Sequence, residues 1–455
     1  MDTSDFRHQR QSLLYRIRNS HVVRLTVLGI LTLILLIPIS MIRNLILERQ
    51  ERSHEAALEV TSRWGLRQIV TGPALILPYS VREKQKASNG ELVEVEIRRD
   101  AIILPKELKV SGVIATENRG RGIFQVPVYT LTLNLAGRFE KPRIDTLGID
   151  PSVVKWGQAH LSVGISDVRA LRSSSHLTWN DSQSEFLPGT EGLPDSAPGL
   201  HAIVPASAQD SGYQFSFPIA LNGSESVYVT PFSEETVVQL SSNFPNPNFK
   251  GNWLPTERRV ADSGFEATWR VSYLGRNYPQ LWTSGTNLSK AIAESQFGVE
   301  LNDPMDHYRM ADRSVKYAAM FILLTFASIW LSEVLAGTHV HPVQYLMLGA
   351  AMCLFYLLEL SLSEHIAFAM AYGIASIAIV GMVVGYGKTI FRQGNRSFGV
   401  ATGVTLLYAY LFVVLTNEDA ALLVGSIGLF VILAGIMFVT RGINWYASPA
   451  PTPEP

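Results

Sequence analysis

Residues 25–42 read Leu-Thr-Val-Leu-Gly-Ile-Leu-Thr-Leu-Ile-Leu-Leu-Ile-Pro-Ile-Ser-Met-Ile. This stretch of 18 residues has no charged side chain, and its length suits a helix that crosses a hydrocarbon core of about 30 Å. Arg43 and Asn44 follow it directly, where a cleaved signal peptide would show a small-x-small site. We therefore predict a retained signal anchor, transmembrane helix 1, rather than a leader peptide that is removed.

The last third of the chain contains five more apolar stretches. They are residues 317–335, 343–362, 366–386, 398–416 and 420–440, each close to the ~20 residues that a spanning helix needs. The joints at 336–342 and 417–419 are so short that they leave room only for antiparallel helical hairpins. The prediction is a membrane protein of the α + β class with six transmembrane helices, one N-terminal and five C-terminal (residues 317–440).

The positions of Lys and Arg predict the orientation, because cytoplasmic loops are enriched in these residues. Basic residues precede the first stretch, separate the fourth from the fifth and follow the sixth, whereas the joints 363–365 and 417–419 have none. We expect a cytoplasmic N-terminal segment (1–24), a cytoplasmic Pro-rich tail (441–455) and a large external domain (43–312). Arg313 and Lys316 run against this rule, but long translocated domains largely escape it. The basic residues that support the orientation are Arg7, Arg10, Arg16, Arg18, Arg24, Lys388, Arg392, Arg396 and Arg441.

The external domain begins with helix formers and continues with alternating residues. Residues 48–64 contain neither Gly nor Pro, and Gly65 follows, which predicts a charged helical stalk. Beyond Gly72 and Pro73 many short segments alternate apolar and polar residues, as in a large antiparallel β-sandwich or barrel. Leu187–His201 is rich in Pro and Gly, so we expect a loop there that is a candidate boundary between halves. Whether the domain is one large β unit or two smaller ones stays open. The predicted strands are Leu108–Ala115, Val126–Leu135, His160–Ile165, Tyr213–Leu221, Ser226–Val229, Thr236–Leu240 and Thr268–Tyr273.

Composition and motifs argue against several classes of protein. The formal net charge is −1, so no basic surplus favours nucleic acid. Cys353 is the only cysteine, so no intramolecular disulfide forms, and its apolar neighbours predict a buried position. The sequence contains no Gly-x-Ser-x-Gly, Walker, Gly-x-Gly-x-x-Gly or His-Glu-x-x-His motif. We predict no catalytic residue, no cofactor and no enzymatic activity.

Charged residues near the ends of the apolar stretches are the remaining candidates for a site. His339 and His341 are about 30 Å of helix away from Glu364 and His365, so the four residues do not share a metal ion. Glu333 and Glu359 lie near opposite ends of their own stretches and are expected to face opposite leaflets. The middle of each stretch has no Asp, Glu, Lys, Arg or His, which argues against an ion-coupled transporter.

Long strings of the sequence resemble the CreD family of bacterial inner-membrane proteins. They are Trp64–Tyr79, Phe244–Pro255, Gly264–Pro279, Ser314–Ala319, His341–Tyr345 and Leu360–His365, in the same order as in the family. The resemblance implies an inner-membrane protein tied to envelope integrity and, in some members, to tolerance of toxins and antibiotics, with expression linked to a two-component system. It implies no catalytic activity, and Glu359 departs from its pattern. The candidate functional residues that match are Lys316, Tyr317, Glu333, His341, Gln344, Glu364 and His365.

Three hypotheses about function follow. The leading one is a non-enzymatic envelope-maintenance protein whose periplasmic β domain binds a lipid, glycan or protein partner. The other expected partners are membrane lipids and a second copy of the chain. The alternatives are a membrane-surface enzyme with Glu364 and His365 as acid and base, and a lipid-handling transporter. If the Glu364–His365 pair is structural, Ser363 or Glu364 should cap the start of the following helix.

Overall fold

The computed structural model describes residues 21–86, 92–193, 198–301, 307–336, 340–391, 394–417 and 420–441. The chain divides into two compact units. We call residues 1–52 with 305–455 the helical unit, and residues 53–304 the β unit. Most of the N-terminal segment, His339 and the Pro-rich tail beyond Arg441 lie outside the described residues.

Long apolar helices form the helical unit. The first, α1, is a continuous helix of 44 residues with Pro38 inside it, and its last residues belong to the β unit. In chain order the helices of the protein are α1 (His21–Trp64), α2 (Ser289–Glu294, in the β unit), α3 (His307–Lys316), α4 (Ala318–Ala336), α5 (Pro342–Ser363), α6 (Phe368–Phe391), α7 (Gly394–Thr416) and α8 (Ala421–Thr440).

By length and composition, four helices of the described chain can cross a membrane, namely α1, α5, α6 and α8. A fifth candidate is the pair α3 and α4, which meet at a bend of 46°. In α7 the apolar portion Ala401–Thr416 is shorter than a full span. The protein is therefore a membrane protein with four or five candidate spanning helices, and the count of six stays a prediction.

Close packing joins α1 to α5. Gly349 of α5 has no side chain where Leu35 of α1 lies, and a Cβ there would come within 2.1 Å of Leu35. One turn further along α5, the buried Cys353 thiol contacts the carbonyl of Leu35 at 3.8 Å. The predicted burial of Cys353 is confirmed, and small residues let the two helices approach closely.

The β unit consists of two sheets. The first has the order β13-β17-β11-β1-β5-β9-β8, with β2 paired to β1 and β16 paired to β2; the second has the order β14-β15-β12-β3-β4-β10-β6-β7. The strands are β1 (Gln68–Lys86), β2 (Leu92–Ile103), β3 (Glu107–Arg121), β4 (Phe124–Glu140), β5 (His160–Ile165), β6 (His176–Trp179), β7 (Ser182–Glu185), β8 (Leu187–Pro188), β9 (Gly199–Ile203), β10 (Gly212–Ser224), β11 (Ser226–Val229), β12 (Glu235–Ser242), β13 (Asn248–Gly251), β14 (Glu257–Ala261), β15 (Gly264–Ser272), β16 (Leu281–Thr283) and β17 (Phe297–Glu300).

Both sheets are mixed, so the expectation of a purely antiparallel domain was wrong. β1 runs parallel to β11, and β3 runs parallel to β12. Alternation along a strand shows which residues face the core, but it does not show which neighbour the strand pairs with. The predicted strands themselves are confirmed, except that Tyr273 lies in a short 3-10 turn after β15.

One apolar core holds the two sheets together. Buried side chains of β1 and β5 in the first sheet share a cluster with those of β4 and β15 in the second. Inside the stretch expected to separate two halves, β8 pairs with β9 in the first sheet. Residues 53–304 are therefore one β unit, and the predicted boundary at Leu187–His201 was wrong.

The end of the predicted stalk rests on the β unit instead of standing free in solvent. Near the end of α1, Glu59 accepts two hydrogen bonds from Arg121, at 2.8 and 2.9 Å. The Trp64 indole donates to the carbonyl of Tyr129 at 3.1 Å. Gly65 then turns the chain with φ +149°, and a Cβ there would lie 2.7 Å from the carbonyl oxygen of Asn222. Glycine is required at this turn because a larger residue has no room.

Candidate functional site

Glu333 of α4 is a buried carboxylate that two other helices contact. Its side chain is 4% exposed, and its Oε1 accepts a hydrogen bond of 2.6 Å from Nη1 of Arg24 on α1. Its Oε2 accepts a bond of 3.0 Å from the hydroxyl of Tyr345 on α5. A buried charge is tolerated when it is paired and hydrogen-bonded. We call Arg24, Glu333 and Tyr345 the Glu333 layer.

The start of α5 places Tyr345 in this layer. His341 caps the helix, since its Nδ1 accepts from the backbone N–H of Val343 at 3.2 Å. The Gln344 side chain accepts from the backbone N–H of His341 at 3.0 Å and completes a capping box. Pro342 occupies the first helical position, where it needs no donor. His341 and Gln344 thus determine where α5 begins.

A cavity of about 490 Å³ lies beside the Glu333 layer. Its walls are mostly apolar and include Trp330 of α4 together with valine and leucine side chains of α1. Arg24, Glu333, His341 and Tyr345 supply its polar lining. The structure therefore brings together two predicted candidates, Glu333 and His341, with Gln344 adjacent, and adds Arg24 and Tyr345.

A second group of charged contacts lies farther along α1, on α3 and at the end of α5. Asp312 of α3 accepts from Nε of Arg43 at 3.0 Å and pairs with Nζ of Lys316 at 2.6 Å. Glu364, just after α5, accepts from the Tyr308 hydroxyl at 3.1 Å and lies 3.8 Å from Nε of Arg49. We call these six residues the Glu364 layer, which contains the predicted candidates Lys316 and Glu364.

The spacing of the two layers matches a bilayer. Arg43 follows Arg24 by 19 positions on α1, and Glu364, just beyond α5, follows Tyr345 by 19 positions. At 1.5 Å per residue this is about 28 Å, against about 30 Å for a hydrocarbon core. Residues of the two layers are thus too far apart to form one site, in line with the separation of about 30 Å that the sequence predicts between His341 and Glu364.

The expected capping role of Ser363 and Glu364 was wrong. Ser363 donates its hydroxyl back to the carbonyl of Leu360 at 2.9 Å. Glu364 follows the last residue of α5, and its carboxylate contacts Tyr308 and Arg49 instead of the amides of α6. His365 is exposed, and its backbone N–H donates to Leu362 at 2.9 Å.

Tyr317, the remaining candidate, lies at the bend between α3 and α4. Its N–H donates to the carbonyl of Ser314 at 3.1 Å, and its own carbonyl accepts from Phe321 at 3.1 Å. These backbone bonds carry the hydrogen-bond ladder through the 46° bend. The contacts described for Tyr317 are therefore backbone contacts that support the bend.

Glu359 of α5 is a buried carboxylate to which the sequence assigned little weight. It is 0% exposed, and its Oε2 accepts from the hydroxyl of Ser314 on α3 at 2.9 Å. Within the described part of the chain its Oε1 has no hydrogen-bond partner. A single carboxylate within an apolar stretch is the sequence signal by which a buried carboxylate such as Glu359 could be found.

The β unit has its own buried carboxylate, Asp167. Burial by itself raises the pKa of this carboxyl, but hydrogen bonds from the Arg169 side chain and the Leu66 backbone hold that pKa below its usual range. The bond to Leu66 fixes the chain immediately after Gly65. Asp167 therefore stabilises the junction where α1 joins the β unit.

A shallow groove of about 650 Å³ lies at the β14 side of the second sheet. Val113, Asn243, Arg259 and Glu266 are among its lining residues. All five residues of β14 are exposed, and among the described strands β14 pairs only with β15. The groove therefore borders an open strand edge.

Across the described residues, no group of three or more His, Cys, Asp or Glu side chains is arranged to hold a metal ion.

Comparisons with known proteins identify a family of similar sequences. The sequence model described as "Inner membrane protein CreD" matches residues 20–446. The chain is 32% identical over 428 residues to inner membrane protein CreD of Escherichia coli (strain K12), covering 92% of each. Among solved structures, an M1 zinc metallopeptidase from Deinococcus radiodurans is 9% identical with a TM-score of 0.22, covering 44% of this chain and 42% of that one. So low a TM-score supports no argument about fold or function.

Proposed function

The chain belongs to the CreD family of inner membrane proteins, and from this premise we propose that it is a non-enzymatic protein that supports cell-envelope integrity. Under this proposal it also contributes to tolerance of envelope-active toxins or antibiotics. The β unit lies in the periplasm, both termini lie in the cytoplasm, and the β unit binds an envelope partner that is a lipid, a glycan or a protein.

The observation that carries this proposal is the way the helices next to the β unit are tied together. The chain leaves the helical unit along α1 and returns to it at α3. Arg43 of α1 pairs with Asp312 of α3, and Arg49 of α1 pairs with Glu364. A folded domain whose two connections are cross-linked in this way is suited to presenting a binding surface from a membrane.

The open edge of β14 supports a protein as the partner. An edge strand presents backbone N–H and C=O groups that an extended peptide can pair with. Arg259 and Glu266 line the groove beside it, so a peptide there would meet both signs of charge. We therefore propose an extended segment of an envelope protein as the partner of the β14 edge.

The contacts of Glu364 favour a structural role over the enzyme and the transporter. Its carboxylate bonds to a tyrosine hydroxyl and lies near an arginine, so three parts of the helical unit meet at it. Such a carboxylate holds helices together.

The test is complementation of a strain that lacks the gene, scored for tolerance of envelope stress together with abundance in the membrane. Val260→Lys places a charge on the β14 edge, where Val260 is 50% exposed, so folding should be unaffected. Leu254→Lys is the matched control, because Leu254 is 68% exposed and lies in the segment before β14.

We expect Val260→Lys to reach normal abundance with loss of tolerance, and Leu254→Lys to complement fully. Full complementation by both variants would remove the β14 edge from the proposal. Unchanged envelope-stress tolerance in the strain lacking the gene would overturn the envelope role itself.

A further inference from the structure

The cavity beside the Glu333 layer combines an apolar wall with a buried pair of opposite charges. Val23, Val27 and Leu28 of α1 and Trp330 of α4 form the apolar part. The 2.6 Å pair between Arg24 and Glu333 lies at its polar side. Most ligand cavities have this composition, with a few polar groups that orient the ligand.

The location of the cavity restricts the ligand to a molecule of the membrane. Arg24 immediately precedes the apolar stretch of α1, Glu333 is within one turn of the end of α4, and Tyr345 is in the first turn of α5. The cavity therefore lies where the hydrocarbon core gives way to headgroups, and Trp330 is a residue type typical of this depth. A lipid molecule meets both conditions, since its chain contacts apolar walls while its headgroup remains near the surface.

The charges restrict the headgroup further. A zwitterionic aminophospholipid has a phosphate that suits a guanidinium, and an ammonium that suits a carboxylate. Both protein groups have the chemistry for more than one partner, because a carboxylate has about four acceptor sites and a guanidinium several donors. Trp330 also lines the cavity, and an indole ring can attract an ammonium ion. An anionic lipid without an amine matches only the Arg24 half of the pair.

We propose that this cavity is a binding site for one aminophospholipid, with the phosphate at Arg24 and the ammonium between Glu333 and Trp330. The cavity volume of about 490 Å³ accommodates the headgroup and the upper part of one acyl chain, and the rest of the chain lies along α1. His341 lines the cavity and also begins α5, so the same residue defines the site and the helix that supplies Tyr345. This site is in the helical unit, and it is independent of the partner proposed for the β unit.

The experiment places the full-length protein in nanodiscs of equal parts phosphatidylethanolamine and phosphatidylglycerol. Lipids that remain bound after release into detergent are counted by native mass spectrometry. We expect one phosphatidylethanolamine per chain, enriched about tenfold over phosphatidylglycerol, as expected for one charge-assisted hydrogen bond.

Two variants test the site from different sides. Arg24→Gln with Glu333→Gln removes both charges at once, so no lone buried charge is left behind. Val27→Trp fills the cavity and leaves the ion pair in place. Both variants should lose the enrichment. The matched control, Arg43→Gln with Asp312→Asn, removes an equivalent pair from the Glu364 layer and should keep it.

If the double variant fails to fold, Val27→Trp decides by itself. Equal retention of both lipids by the unaltered protein, or enrichment that survives Val27→Trp, would overturn the site. Enrichment of phosphatidylglycerol instead would overturn the role assigned to Glu333.

Discussion

The Glu333 layer and the Glu364 layer use the same kinds of residues but differ in burial. In the Glu333 layer the carboxylate is 4% exposed and Arg24 is 22% exposed. In the Glu364 layer Asp312 is 16% and Glu364 11% exposed, but Arg43 and Lys316 are about half exposed. The pair between Arg49 and Glu364 is also longer, at 3.8 Å. Exposed pairs are weakened by water and by lost side-chain entropy, whereas breaking a buried pair leaves a charge without compensation. The comparison teaches that the same kind of contact orders the helices strongly in the Glu333 layer and weakly in the Glu364 layer.

The largest effect should come from Glu333→Ala, which leaves Arg24 without its buried carboxylate. We expect a loss of about 3–5 kcal/mol in the free energy of unfolding, measured by denaturation of the purified protein in detergent. The double variant Arg24→Ala with Glu333→Ala should lose less than Glu333→Ala alone. A single variant as stable as the unaltered protein would show that burial does not distinguish the two layers.

A second prediction concerns Glu359, which lies toward the Glu364 end of α5 but is fully buried. Replacing it by Met, together with Ser314→Ala so that the buried hydroxyl does not lose its acceptor, removes a carboxylate whose Oε1 has no partner among the described residues. We expect the free energy of unfolding to rise by about 1–3 kcal/mol, the usual cost of one unsatisfied buried group. Leu357→Met is the control, because it changes an apolar residue that is 38% exposed. Destabilisation by the double variant would instead indicate that the carboxylate has a partner besides Ser314.

Asp167 extends the comparison to the β unit, because it is a buried carboxylate with an exposed partner, Arg169. Since the folded pKa is below the usual value of about 3.9, its stabilisation is present above that value and is lost as the pH falls through the folded pKa. We expect acid unfolding of the β unit in the full-length protein to be less steep in Asp167→Asn, as followed by the far-ultraviolet signal of its strands. Identical acid unfolding curves for the two proteins would contradict the assignment.

The smallest effect should come from Arg49→Gln in the Glu364 layer. Arg49 is 37% exposed and its Nε lies 3.8 Å from Glu364. A long pair whose basic side chain faces water contributes about 0–1 kcal/mol, so the free energy of unfolding should fall by that amount at most. The change should shrink further at high salt, because screening acts on exposed charges. A loss as large as that of Glu333→Ala would mean that the Glu364 layer is effectively buried and would abolish the contrast between the layers.

Several features could be predicted from the sequence because they depend on neighbouring residues. The apolar stretches correspond to long helices, and His160–Ile165 and Ser226–Val229 are strands with the predicted bounds. The family resemblance was also correct, since long uninterrupted strings carry it. The same local patterns indicated that His341 and Glu364 lie about 30 Å of helix apart.

Only the tertiary structure decided which distant residues meet. Arg24 and Glu333 are 309 positions apart, and no periodicity of the chain relates them. The parallel pairing of β3 with β12 joins segments more than a hundred residues apart, and the alternation of each strand is the same whichever partner it has. Burial likewise depends on packing between helices, which is why Glu359 is enclosed while Glu364, five residues later, contacts Arg49 and Tyr308 at the end of α5. Sequence patterns specify the elements, and the packing of those elements specifies which charges are paired, buried or left facing a cavity.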